Sequence, residues 1–225
     1  FKQSGVFSFF ETSPILEKFI QNAIDERKIP ILKQLIDKRL LDSKALRAAL
    51  SKDKELHSLF LEEFKAECKQ REPNKVLVLF LIDAGLKFKI PEIYPIAKLG
   101  NCSLLREISN RGHDISEAVF RLIREGDSIL NLLSENRTKG LDPNLKNQEG
   151  NTLLVEAVIQ DSHHVVQDLL RYGANPLILD YQGSSVFDIA REKSLETRRT
   201  LYFSPELRGS SLIGSISSWN HQKIA

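Results

Sequence analysis

Residues 150–157 read Gly-Asn-Thr-Leu-Leu-Val-Glu-Ala, and residues 169–176 read Leu-Leu-Arg-Tyr-Gly-Ala-Asn-Pro. Several of these residues have a chemically similar counterpart 33 positions away in the chain. The matched pairs are Gly140 and Gly173, Pro143 and Pro176, Gly150 and Gly183, Thr152 and Ser185, Leu154 and Phe187, and Ala157 and Ala190. A fixed period of this length indicates a protein built from stacked structural repeats.

The residue types within this stretch predict two short helices that pack against their neighbours. Thr152 is placed to cap the first helix with its side-chain oxygen. Ala157 is small where two helices cross closely, and Gly173 is suited to end the second helix in a left-handed conformation. That second helix has one apolar face, formed by Val165, Val166, Leu169 and Leu170. A single unit of this kind cannot bury its own face, so neighbouring units must stack.

These motifs resemble the ankyrin repeat. Thr152 and Leu154 match the helix start of that family, although Leu153 replaces its proline and Val155 its histidine, and residues 180–183 keep its Asp-x-x-Gly turn. Degenerate copies precede them at 100–112 and 126–140, the latter with about two extra residues near 135–139. The resemblance implies an all-α ankyrin-repeat solenoid of stacked helix-turn-helix units, with about five to six repeats, several of them degenerate.

The two ends of the chain differ from the repeat array. We expect residues 1–75 to form a helical N-terminal cap or diverged repeat, with helices starting at Pro14 and Pro30, two more over 43–50 and 55–69, and an insertion at 52–71. Residues 76–203 are assigned to the ankyrin array. Residues 204–225 are rich in Ser and Gly and are predicted to be a tail.

Composition excludes several classes of protein. The 225 residues are 41% hydrophobic and 28% charged, which is typical of a globular chain. The net charge is +2 and no third of the chain is a basic block, so we expect no nucleic acid partner. The longest apolar run is too short for a membrane span. Residues 1–10 lack a signal-peptide pattern, two cysteines fit a reducing compartment, and the absence of Met with Phe at position 1 favours a fragment of a longer protein.

The sequence offers no convincing catalytic, cofactor or metal site. His163 and His164 are adjacent, and neighbouring helical residues point about 100° apart, so we do not expect them to bind a metal together. Cys68 and Cys102 are interpreted as small buried residues, with a hydrolase built on either thiol as the alternative. Paired carboxylates lie among Lys and Arg and are typical of solvated helix faces.

The resemblance implies which residues contact a partner. In ankyrin arrays these lie inside the Asp-x-x-Gly turn, directly after it, and shortly after the helix Ala. On this chain they are Gln148, Glu149, Asn151, Ile159 and Gln160 in one repeat, and Tyr181, Gln182, Ser184, Glu192 and Lys193 in the next. Tyr181 is the best candidate for a binding hot spot, since aromatic side chains supply contact area at low entropic cost. Ile159 either faces the surface or packs inward.

The resulting functional hypothesis is a non-enzymatic protein–protein interaction scaffold, a cytoplasmic monomer that binds a protein partner through the concave face and turn tips. One alternative is a substrate-recruiting or regulatory region of a larger enzyme. The Lys- and Leu-rich style of the degenerate repeats also resembles ankyrin effectors of intracellular bacteria, which act in the cytoplasm of a host cell.

Overall fold

A computed structural model describes residues 14–134 and 140–205 of the chain. Within these residues the regular structure consists of thirteen α-helices, and an isolated β-bridge joins Lys146 and Thr152. The predicted all-α architecture is therefore confirmed. The chain divides into two compact units, Phe1–Phe88 and Lys89–Ala225. The predicted division at residues 75 and 76 stays a prediction.

The first unit contains two helix pairs and one additional helix. Its helices are α1 (Pro14–Asp25), α2 (Ile29–Asp37), α3 (Ser43–Lys52), α4 (Lys54–Cys68) and α5 (Lys75–Asp83). Helix α1 packs on α2, α3 packs on α5, α2 packs on α5, and α4 contacts both α3 and α5. The four helices predicted in this part of the sequence are present. Helix α4 falls within the stretch that we expected to be an insertion, and it buries Phe60 and Phe64 completely.

The second unit contains four successive helix pairs. They are α6 (Ile90–Lys98) with α7 (Cys102–Asn110), α8 (Ser116–Arg124) with α9 (Leu130–Ser134), α10 (Leu153–Ile159) with α11 (His163–Arg171), and α12 (Val186–Ala190) with α13 (Leu195–Phe203). The first helices of successive pairs pack on one another, from α6 through α8 and α10 to α12. Of the second helices, α11 packs against both α9 and α13. The described residues thus contain six helix pairs, which agrees with the expected five to six repeats.

Left-handed residues mark the ends of the helices in a repeating order. A residue with positive φ follows the first helix of three pairs, at Gly100 after α6, Gly126 after α8 and Asp161 after α10. Another follows α5 at Gly85 and the second helices α7 and α11 at Gly112 and Gly173. The first pair has Arg27 and Arg39 at these two positions, with φ of 51° and 57°. Glycine adopts this conformation without steric cost, whereas other residues do so at some expense. The backbone at the ends of α1 and α2 therefore has the same left-handed geometry as in the later helix pairs.

The core of both units is formed by the apolar faces of the helices. Val165, Val166, Leu169 and Leu170 are all buried on α11, as their spacing predicts, and Ala157 is completely buried on α10. Cys68 and Cys102 are buried and form no disulfide, which confirms their interpretation as small interior residues. Residues 1–13, the expected extra residues at 135–139 and the tail from residue 206 onward lie outside the described residues.

Candidate protein-binding groove

Two turns of the same construction present the predicted contact residues. In the first, Asn147 Oδ1 accepts hydrogen bonds from the backbone N–H groups of Glu149 (3.1 Å) and Asn151 (2.9 Å). In the second, 33 residues later, Asp180 Oδ1 accepts the corresponding bonds from Gln182 (2.9 Å) and Ser184 (2.7 Å). These short polar side chains satisfy the backbone of the turn locally. The residues at each turn tip are consequently directed to solvent.

Each turn leads directly into a capped helix. Thr152 Oγ1 accepts a hydrogen bond of 3.3 Å from the Val155 N–H, so the predicted cap of α10 is confirmed. Ser185 caps α12 in the same way through the Asp188 N–H at 3.2 Å, and the Asp188 carboxylate accepts a bond in return from the Ser185 backbone at 3.3 Å. Such reciprocal capping fixes where the helix starts and hence where the turn is held.

A groove of about 640 Å³ lies against the first of these turns. Its lining comes from the first helices α6, α8 and α10 and from both turns, and consists of Ile90, Glu117, Arg124, Asn147, Gln148, Glu149, Asn151, Glu156, Ile159 and Tyr181. Five of the ten predicted contact residues, namely Gln148, Glu149, Asn151, Ile159 and Tyr181, are therefore brought together. Gln160, Gln182, Ser184, Glu192 and Lys193 are not part of this lining.

The two apolar candidates in the groove are both accessible. Tyr181 is 62% exposed and Ile159 is 39% exposed, so the surface alternative for Ile159 is the one observed. The Tyr181 hydroxyl accepts a hydrogen bond of 2.6 Å from Gln182 Nε2. Lys193 Nζ donates to the carbonyl oxygen of Ile159 at 2.8 Å. Gln182 and Lys193 thus contact groove residues without lining the groove.

Asn151 has an internal role in addition to its place in the lining. It is only 4% exposed, and its Oδ1 accepts a 3.3 Å hydrogen bond from the backbone N–H of Tyr181. The side chain therefore links the first turn to the second and positions the exposed tyrosine. Of the remaining predicted residues, Glu192 is exposed, Ser184 is half-buried, and Gln160 donates a 3.0 Å hydrogen bond to Glu156 Oε1.

Sequence reasoning missed the charged cluster in the groove. Arg124 bridges two carboxylates, with Nη1 at 2.6 Å from Glu117 Oε1 and Nε at 3.2 Å from Glu156 Oε1. The side chain of Glu156 is only 8% exposed. Burial lowers the pKa of Arg124, but the hydrogen bond to Glu117 and the charge of Glu156 outweigh it and raise the pKa above its usual value. With Glu149, the lining holds three carboxylates and one guanidinium, a formal charge of −2.

Two features of the sequence could have indicated this cluster. Glu117 and Arg124 are seven residues apart on one helix, and seven residues span about two helical turns, so both lie on one face. Arg124 and Glu156 are 32 residues apart, close to the 33-residue period, so adjacent first helices carry them. The first turn also contacts an earlier part of the chain, because Gln148 Nε2 donates a hydrogen bond of 3.3 Å to Asp114 Oδ2.

The described residues contain neither a cluster of metal ligands nor a helix suited to span a membrane. No group of three or more His, Cys, Asp or Glu side chains is arranged to hold a metal ion between residues 14 and 134 or 140 and 205. The rings of His163 and His164 contact each other, with centroids 3.8 Å apart and planes tilted by 41°. Over the same ranges, none of the helices has the length and apolar character needed to cross a bilayer.

Successive capped helix pairs joined by projecting turns define a helical repeat protein with a continuous surface formed by its first helices. Two relatives, both described as ankyrin repeat proteins of Acanthamoeba polyphaga mimivirus, are similar in sequence. One is 28% identical over 120 residues, 53% of this chain and 72% of the relative. The other is 43% identical over 49 residues, 22% of this chain but only 12% of the relative. No family model and no solved structure matches.

The predicted ankyrin character of the repeats is confirmed by the helix pairs together with these two similarities. Ankyrin repeats support a general role in protein interaction. The resemblance to effectors of intracellular bacteria stays a prediction.

Proposed function

We propose that this chain is a non-enzymatic interaction module that binds a segment of a partner protein in the groove between its turn tips and first helices. One observation carries the proposal. Five residues chosen from the repeat pattern, without reference to their positions in space, line one groove of about 640 Å³. Such a volume is within the range of about 300–1,000 Å³ typical of ligand-binding clefts.

The chemistry of the groove suits a peptide segment. Tyr181 and Ile159 supply apolar contact area, and the amide side chains of Gln148 and Asn147 supply both donors and acceptors to a peptide backbone. The formal charge of −2 favours a partner that carries Lys or Arg at this point. Because Arg124 already neutralises much of the two carboxylates that it bridges, the exposed Glu149 is the main charge offered to the partner.

The proposal that the chain is not an enzyme is supported by where its nucleophiles lie. Cys68 and Cys102 are at most 2% exposed, so neither thiol is accessible to a substrate. The groove lining contains neither Cys nor His. The proposal also includes a cytoplasmic, monomeric state. Buried cysteines that form no disulfide are typical of reducing compartments. Light scattering of the purified chain would test the monomer.

The test compares partner binding by the wild-type chain and by a Tyr181→Ala, Gln148→Ala variant. A partner is first captured from cell lysate and identified by mass spectrometry, and its purified form is then titrated by calorimetry. Truncation of a hot-spot aromatic residue costs about 2 kcal/mol or more, so we expect affinity to fall at least about tenfold. Circular dichroism would verify that the variant remains helical.

A matched control is available in the same loop. Leu179 is 51% exposed but does not line the groove, so Leu179→Ala removes exposed apolar area elsewhere. We expect this variant to bind the partner within about twofold of the wild type. Equal affinity of the wild type and the Tyr181→Ala, Gln148→Ala variant would contradict the proposed groove, and equal loss in both variants would indicate a general effect of the loop.

A further inference from the structure

The first unit contains a second cavity, of about 290 Å³, whose polar lining is almost entirely basic. Arg47 reaches it from α3, Lys54 and His57 from α4, and Lys87 from the segment after α5. Ser51 adds a hydroxyl group, and the apolar remainder is Leu50 with the Ala84–Gly85 turn. No carboxylate belongs to this lining. Three separate segments thus bring cations to one concave site.

Two of the basic residues are held in place by specific contacts. The Arg47 guanidinium donates through Nη2 to the carbonyl oxygen of Asp83. It also lies along the Gly85 turn, since a Cβ at Gly85 would be in ordinary van der Waals contact with Arg47 Nε at 3.6 Å. The His57 ring accepts a 3.2 Å hydrogen bond from the Lys87 N–H through Nε2. The backbone that carries Lys87 is consequently anchored to α4.

Three acidic residues of this unit pair with cations outside the cavity lining. Asp53 and Glu55, on either side of Lys54, both pair with Arg27, at 2.8 Å and 3.2 Å. Glu63 on α4 pairs with Lys33 at 2.6 Å. Arg47, Lys54 and Lys87 thus line one cavity whose lining holds no carboxylate. Like charges placed together destabilise the folded chain unless an anion joins them.

The presence of Lys54 in the cavity lining is not explained by the stability of the helix that carries it. It is the first residue of α4. A cation at a helix N-terminus opposes the helix dipole and costs a few tenths of a kcal/mol or more. Lys54 is exposed, so its side chain is not needed for packing either. A ligand with negative charge would account for both features.

We propose that this cavity binds a phosphate group, either free inorganic phosphate or a phosphate monoester. The planar fork of Arg47 matches the oxygens of a phosphate, and lysine ammonium groups act as additional point charges. A cavity of about 290 Å³ accommodates the phosphate and a small attached group. The site is independent of the proposed protein-binding groove, because all of its residues belong to the first unit.

The test titrates the purified chain with inorganic phosphate by calorimetry at constant ionic strength maintained with sodium chloride. The Lys54→Gln, Lys87→Gln variant retains the contact of Arg47 with Asp83, and we expect it to bind phosphate at least about tenfold more weakly. The matched control is Lys38→Gln, Lys44→Gln, which removes the same charge from exposed positions of the same unit outside the cavity. We expect the control to bind within about twofold of the wild type.

A second titration distinguishes the two sources of the phosphate group. Tighter binding of O-phosphoserine than of inorganic phosphate assigns the cavity to phosphate monoesters, and the opposite order assigns it to the free anion. A third variant, Arg47→Lys, keeps the charge and loses the fork, and should weaken binding several-fold. Absence of phosphate binding by the correctly folded wild-type chain, or equal weakening in the cavity and control variants, would overturn the proposal.

Discussion

Gly140 provides a sharp test of how a glycine acts in this fold. In the sequence it pairs with Gly173, 33 residues later, which would suggest the same role in both repeats. The structure gives them different roles. Gly173 has a φ of 91° and open space around its missing Cβ, whereas Gly140 has no positive φ. A Cβ at Gly140 would overlap the carbonyl oxygen of Leu133 and lie 3.1 Å from its carbonyl carbon.

The expected cost of Gly140→Ala follows from this geometry. The added Cβ would lie less than 3.0 Å from the Leu133 oxygen, and Cβ atoms in proteins essentially never approach other atoms so closely. The Leu133 oxygen belongs to the backbone at the end of α9, so it cannot move aside as a flexible side chain could. Overpacking of this kind costs about 1–3 kcal/mol, or more where backbone must move. Alanine recovers about 0.4–1 kcal/mol because it restricts the unfolded chain. We therefore expect the free energy of unfolding to fall by about 2 kcal/mol, which lowers the melting temperature by roughly 4–8 °C.

Asparagine distinguishes steric overlap from backbone strain. At Gly173, Asn should be tolerated better than Ala, because Asn adopts the left-handed conformation more readily and nothing lies within 4 Å. At Gly140, Asn should be at least as damaging as Ala, because any Cβ meets Leu133. Urea denaturation followed by circular dichroism measures all four variants. An unchanged midpoint for Gly140→Ala, or partial recovery with Gly140→Asn, would refute the steric explanation.

Further predictions concern the left-handed residues and acid stability. Arg39→Gly should raise the free energy of unfolding by about 0.5–1 kcal/mol, because Arg39 has a φ of 57° and glycine removes a penalty that exceeds its own entropic cost. Asp161→Gly should instead lower the free energy of unfolding, because the Asp161 carboxylate accepts hydrogen bonds from the Ser194 N–H at 3.1 Å and from the Ser194 hydroxyl at 2.8 Å. Thermal denaturation of both variants tests the two predictions. Hydrogen bonds from Ser116 lower the pKa of Asp114 in the folded protein. The Asp114 carboxylate therefore contributes its full stabilisation at pH values above its usual pKa of 3.8, and this stabilisation is lost as the pH falls through the lower pKa of the folded state. The free energy of unfolding of Asp114→Asn should therefore fall less than that of the wild type between pH 5 and 2. An equal fall in both proteins over this pH range would contradict the prediction.

The 33-residue period was sufficient to predict the best-preserved part of the fold. It located the turns, the cap at Thr152 and the left-handed ending of α11, because each of these depends on local residue chemistry. It also matched Thr152 with Ser185, which caps α12 in the structure. The same reasoning left the first helix pair open as either a cap or a diverged repeat. Its left-handed positions are occupied by Arg27 and Arg39, and a search guided by glycine cannot detect a strained arginine.

The candidate groove was predictable only in part for a similar reason. Turn-tip residues follow from the repeat pattern, so Gln148 and Tyr181 were found. The cluster of Arg124 with Glu117 and Glu156 depends on the register between a degenerate repeat and a well-preserved one. The extra residues expected near 135–139 obscure that register in the sequence. Glutamate residues are usually exposed, so the burial of Glu156 could not be predicted from its residue type and is explained only by its contact with Arg124 in the structure.

The position of Tyr181 illustrates why a stack of repeats is suited to recognition. Its backbone N–H is held by Asn151 of the preceding repeat, and its hydroxyl is held by Gln182. An exposed aromatic residue fixed at both ends loses little conformational freedom on binding, and ordering a mobile side chain otherwise costs about 0.5–1.5 kcal/mol. Leu179, two residues earlier, is similarly exposed but does not line the groove. Gln182 is adjacent to Tyr181 in the chain, whereas the contact with Asn151 exists because one repeat stacks on the next.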